Sequence, residues 1–143
     1  MRPTMIRRAL CTLALVAASG CDATEAPVDA ARLTGVYTLR TIYGAPLPGV
    51  VLQSGSSKTE IAAEQMSFTG DSTFADAITY RLTNGTAVTT RSETSGGTYS
   101  ASGSTLELHF RDATGTVILT FAGTWSESAL TLAIPGQERV FQK

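Results

Sequence analysis

Histidine occurs once in this chain of 143 residues and cysteine twice, so the residue types that most often do chemistry are nearly absent. His109 stands in the run Thr105 to Arg111 (TLELHFR), between Glu107 and Arg111. On an extended strand these three side chains share one face, about 6.8 Å from one to the next, and together could hold an anion or relay a proton. The same spacing is that of a strand's wet face when Leu106, Leu108 and Phe110 occupy the other, and that plainer reading is preferred. A zinc centre needs clustered His, Cys or carboxylates, which a single His does not provide. None of the 13 Ser stands in a nucleophile elbow. The glycine-containing loop Gln53-Ser54-Gly55-Ser56-Ser57 lacks the spacing of a phosphate cradle. No catalytic residue, metal or cofactor is expected.

One thiol does have an assignable chemistry. Arg2, Arg7 and Arg8 precede an apolar run from Ala9 to Ala18, followed by the small residues Ser19 and Gly20, the layout of a secretory signal peptide. A run of that length makes about 15 Å of helix, half of a roughly 30 Å hydrocarbon core, so a permanent span is disfavoured. Ala18-Ser19-Gly20-Cys21 resembles the lipobox of bacterial lipoproteins, with Ala at a first position where Leu is commonest. The resemblance implies that Cys21 takes a diacylglycerol, that residues 1–20 are cut away, and that the new N-terminus is acylated. Cys11 would leave with the leader, so the mature chain would carry one sulfhydryl and no disulfide. Two or more acyl chains, at about 0.8 kcal/mol per buried CH₂, anchor a protein stably where one would be marginal. Asp22 resembles the inner-membrane retention signal of enterobacterial lipoproteins, and the choice between inner and outer membrane stays open.

Removal of Arg2, Arg7 and Arg8 with the leader leaves 8 basic against 12 acidic residues, a formal charge of −4. Nucleic acid and anionic lipid surfaces are poor partners for that balance. Residues 21–34 comprise the lipidated Cys and a small, acidic tether, DATEAPVDAARLT, which reaches at most about 45 Å.

From Gly35 to Lys143 the elements are strands. The chain holds 22 Thr and 13 Ser against only 16% charged residues, and Thr suits a pleated, half-buried surface. Apolar residues recur with period two: Tyr37, Leu39, Thr41 and Tyr43; Phe74, Ile78, Tyr80 and Leu82; Leu106, Leu108 and Phe110; Val117, Leu119 and Phe121; Leu130, Leu132 and Ile134; then Val140 with Phe141. Asn84-Gly85 is a two-residue hairpin signal, and Gly70-Asp71, Ser102-Gly103, Thr114-Gly115 and Pro135-Gly136 mark further turns. Lys58 to Met66 (KTEIAAEQM) admits a helix, with Ser57 and Glu60 as a capping box, or a strand running into Phe68; strand is preferred. Gly97-Thr98-Tyr99-Ser100 is echoed by Gly123-Thr124-Trp125-Ser126, as though two hairpin arms shared one local solution. The expected fold is all-β, an antiparallel up-and-down meander of about 8–10 strands that closes on itself, because closure removes exposed edges.

Gly35-Val36-Tyr37 resembles the Gly-x-Trp opening of the lipocalin-like (calycin) barrels, with Tyr for Trp. The strands of GT-aromatic-Ser type, ending in a short C-terminal strand, resemble small bacterial lipoproteins with lipocalin-like domains. The resemblance covers Gly35 to Lys143 and implies that a basic residue near the C-terminus, here Arg139, stacks on Tyr37 to close the barrel. It also places Leu47 and Val50 to Leu52 in a lid over the mouth. Leu39, Leu47, Phe74, Tyr80, Phe110 and Phe121 are the candidate ligand-binding residues, with Ile78, Leu106, Leu108, Leu119 and Leu132 also facing inward. The function expected is that of an exported, lipid-anchored cell-envelope protein, a non-catalytic binding module for a small apolar or lipid ligand. The alternative is a solid barrel whose surface binds a protein partner, as an assembly factor or inhibitor.

Overall fold

A computed structural model describes residues 33–143; the leader, Cys21 and all but the end of the tether lie outside the described residues. Ten strands follow in chain order: β1 (Gly35–Ile42), β2 (Ala45–Pro46), β3 (Gly49–Ser54), β4 (Ser57–Phe68), β5 (Thr73–Asn84), β6 (Ala87–Ser102), β7 (Thr105–Arg111), β8 (Val117–Trp125), β9 (Ala129–Ile134) and β10 (Gln137–Gln142). Each of β4 to β10 pairs antiparallel with the next, β10 returns to β1, and β1 pairs with the second half of β4. Eight strands therefore close into a barrel, with β2 and β3 as short additions on β1 and the first half of β4. Lys58 to Met66 is strand, inside β4.

Three of the hairpins use one turn. Ser54↔Ser57, Asn84↔Ala87 and Ser102↔Thr105 are the last pairs before loops of two residues. Each loop opens on a glycine at positive φ, namely Gly55 (56°), Gly85 (59°) and Gly103 (57°). Gly first in the loop is the type II′ pattern, whose twist matches that of the flanking strands. The Asn84-Gly85 signal thus marks the hairpin one residue early, because Asn84 is still paired and the loop is Gly85-Thr86. The GT-aromatic echo also has a physical origin. A Cβ on Gly97 would run into the carbonyl of His109, and one on Gly123 into that of Thr131. Both glycines allow the neighbouring strand to approach, and both send an aromatic, Tyr99 or Trp125, into the core two residues later.

The barrel is sealed at one end. Tyr37, Phe68, Phe74, Tyr99, Phe110 and Phe121 form a chain of ring contacts, mostly edge to face, with centroids 4.9 to 6.0 Å apart. Leu33 is fully buried against this end, and the Tyr99 hydroxyl lies 3.0 Å from its carbonyl oxygen and 2.8 Å from that of Thr69. Leu33, expected in the tether, is therefore part of the packed domain.

The other end is splayed. β6 pairs with β5 over Ala87–Thr98, but β7 reaches only Gly97–Ser102, so Ala87–Gly96 have a strand on one side alone. β8 likewise pairs with β9 only over Gly123–Trp125. Two register shifts re-aim side chains within the wall. One between Leu39 and Thr41 turns Ile42 into the core and leaves Tyr43 exposed, against the simple alternation. The other, between Ile61 and Ala63, moves the inward face of β4 from Ile61 to Glu64, Met66 and Phe68.

Candidate functional site

A cavity of about 300 Å³ occupies the lumen between the aromatic seal and the splayed end. Its apolar wall comes from Met66 of β4, Ile78 of β5, Phe110 of β7, Leu119 and Phe121 of β8, and Ile134 of β9. Its polar wall comes from Glu64 of β4, Asp76 and Tyr80 of β5, Glu93 and Ser95 of β6, and Arg139 of β10. The mouth lies where the half-paired stretches of β6 and β8 face the solvent: Glu93, Thr94 and Ser95 are exposed, and Leu119 keeps 46% of its surface in contact with water.

The polar wall is built by pairing register. Asp76 opposes Ser95 and Ile78 opposes Glu93, which places these side chains on the same face of the β5–β6 ladder. Glu64 reaches the lumen through the β4 bulge. Arg139 shares the inward face of β10 with Phe141, two residues on. Its Nη1 donates to both carboxylate oxygens of Glu64, at 2.9 and 2.7 Å, and its Nη2 donates to Gln137 Oε1 at 2.8 Å. Burial pushes the Glu64 carboxyl up, and the Arg139 guanidinium partly opposes that rise. Asp76 is 3% exposed and is not so provided for. Ser95 Oγ donates to its Oδ2 across 3.5 Å, and Oδ1 has no hydrogen-bond partner. Desolvation first, then the charge of Glu64, pushes its carboxyl from 3.8 to about 7.

Of the six ligand-binding candidates, Tyr80, Phe110 and Phe121 line this cavity. Leu39 and Phe74 are packed in the core and Leu47 lies against it, so these three belong to the wall rather than the lumen. The closure expected of Arg139 on Tyr37 is made by another residue. Thr38 opposes Gln142 and Ile42 opposes Arg139, which puts Arg139 about 13 Å along the strand from Lys143. The Lys143 ammonium sits 5.6 Å from the Tyr37 ring centroid, while Arg139 turns into the lumen.

The Glu107, His109 and Arg111 face stands outside the barrel. His109 Nε2 lies 3.1 Å from Glu107 Oε1 and Nδ1 lies 3.3 Å from Thr120 Oγ1, while Arg111 reaches Thr98 and the Gly115 carbonyl. Among the described residues no three His, Cys, Asp or Glu side chains are grouped to hold a metal ion.

Three polar residues of the cavity escape a reading by hydrophobic period. Asp76 had a signal, since it fills the gap between Phe74 and Ile78 on the inward parity of β5. Glu93 follows from Asp76 once the β5–β6 register is known. Glu64 had none, because the bulge that re-aims it leaves no local mark. Comparison with protein-family models, curated proteins and solved structures yields no match.

Proposed function

We propose that this protein is a membrane-anchored binding module of the bacterial cell envelope, lipidated at Cys21 and taking a small amphipathic molecule in the lumen of a lipocalin-like barrel. The observation that carries the reading is the cavity of about 300 Å³, aromatic and aliphatic on one wall and hydrogen-bonding on the other. At about 30 Å³ per water molecule that is room for about ten waters, the lower bound of small-molecule sites. It suits a compact ligand better than a diacyl lipid. The polar wall narrows the apolar class expected from the sequence, because a wholly apolar guest would leave buried polar atoms without partners. The role is non-catalytic: it takes up and releases a guest.

Native mass spectrometry of the full chain, purified in mild detergent from a bacterial host, tests both halves. An acylated mass beginning at Cys21 and uptake of a small ligand from a panel are expected, and Cys21→Ala should leave the membrane fraction. A full-length, unacylated product that takes up nothing would overturn the reading. A second reading, a protein partner on the barrel wall, draws on the unpaired edge Ala87–Gly96, which can accept an extended segment. A photo-crosslinker at Thr90 that captures one envelope protein reproducibly would favour it.

A further inference from the structure

The chemistry of the lumen narrows the class of ligand, given the small-ligand reading above on which this step rests. We propose that the cavity binds a small hydrophobic amine as its ammonium ion, with the ammonium against Asp76 and the apolar body against Phe110 and Phe121. Three carboxyl groups face the lumen, Glu64, Asp76 and Glu93, against one guanidinium. That guanidinium gives Nη1 to Glu64 and Nη2 to Gln137, its charge is balanced by Glu64, and its Nε–H is left without a partner. Glu93 pairs at the mouth with Arg91, 2.7 Å away, and both side chains are well exposed, so that pair is screened and weak. Asp76 is left with one buried carboxylate oxygen that nothing satisfies.

The groups around Asp76 fix which guest can satisfy it. From β4 it faces Glu64, from its own strand Tyr80, from β6 Ser95 and Glu93, and from β10 Arg139, turned towards Glu64. β7, β8 and β9 contribute only apolar side chains, Phe110, Ile118, Leu119, Phe121 and Ile134. An anionic guest could use the Arg139 Nε–H but would meet the Asp76 carboxylate and, at the mouth, Glu93, and a purely apolar one would leave the Asp76 oxygen dry. An ammonium supplies both the missing donor and the missing charge. The Phe110 and Phe121 rings, 5.6 Å apart at 75°, form the apolar wall for the rest of the molecule. The raised carboxyl is consistent with this, because a bound cation would draw it back down.

The test is calorimetric titration of the full chain in mild detergent with three matched probes: 2-phenylethylammonium, 2-phenylethanol and phenylacetate. At pH 8 the ammonium should bind at least about tenfold tighter than the alcohol, and phenylacetate should not bind. Because a proton on Asp76 competes with the cation, and its carboxyl titrates at about 7, ammonium affinity should fall about 30-fold between pH 8 and pH 5.5 while that of the alcohol stays constant. Asp76→Asn should abolish the preference for the ammonium and leave the alcohol within about threefold. Equal binding of alcohol and ammonium, or an ammonium affinity indifferent to pH in the unaltered protein, would overturn the amine assignment and spare the small-ligand reading. Should none of the three bind, a wider panel decides: uptake of amines alone supports the assignment, uptake of only neutral or acidic compounds overturns it, and uptake of nothing ends both readings.

Discussion

Replacing Asp76 by Asn keeps the shape of the side chain and removes its ability to ionise, so the two proteins should differ in stability only where Asp76 titrates. In the fold its carboxyl is pushed from 3.8 to about 7. Between those pH values the native state holds a proton that the unfolded chain has released, so native stability must fall as pH rises through the interval. The full cost, reached above about pH 8, is about 4 kcal/mol at about 1.4 kcal/mol per pK step. Asp76→Asn escapes it, and its advantage should grow from nothing near pH 4 to about that figure. Glu64, raised by burial in both proteins, adds a slope of the same sign to both. Glu60, Asp71 and Asp112 are held low by hydrogen bonds and ion pairs, give the opposite slope, and cancel in the difference. Urea unfolding of both full chains at pH 4.5, 6, 7 and 8.5 measures this, and the midpoints should separate by more than about 1 M at the highest pH. Stability curves that run parallel across the range would refute the account of Asp76 as a buried, poorly partnered acid.

Arg139→Met leaves Glu64 charged, buried and unpaired, and should cost about 3–5 kcal/mol in denaturant unfolding, with most of it recovered when Glu64→Gln is added. Gly97→Ala drives a methyl into the His109 carbonyl and should cost far more than Gly103→Ala, which meets open space and suffers only from its positive φ, a contrast read by thermal unfolding. Deleting Ala62 removes the extra residue of the β4 bulge and leaves Ile61 and Glu64 two positions apart on one face of a regular strand, so both should still point inward and near-ultraviolet circular dichroism should show the aromatic packing retained. Lys143→Ala loses the cation over Tyr37 and should cost no more than about 1 kcal/mol.

The meander, its turns and its closure were legible because alternation and glycine-led hairpins are local signals, and a barrel sums them. The polar wall was less so. Asp76 could be read from its parity alone, since every second residue from Phe74 to Leu82 faces inward. Glu64 could not, because one extra residue in β4 exchanges its faces and is fixed by the pairing with β5. The partner of Tyr37 was misassigned for a related reason: which of two cations meets it depends on the β1–β10 register, set by closure of the ring and not by either strand's composition. Leu39 and Phe74 read as lumen residues because period two separates inside from outside and carries no information on height along the axis.

That axis gives the burial of Leu33 a geographical meaning. The chain enters at the sealed pole, where Tyr99 grips the Leu33 carbonyl, and the opening lies at the opposite pole. Whatever precedes Leu33 therefore joins the barrel at its closed base and leaves the doorway clear of the point of attachment, so a guest can come and go without passing the junction.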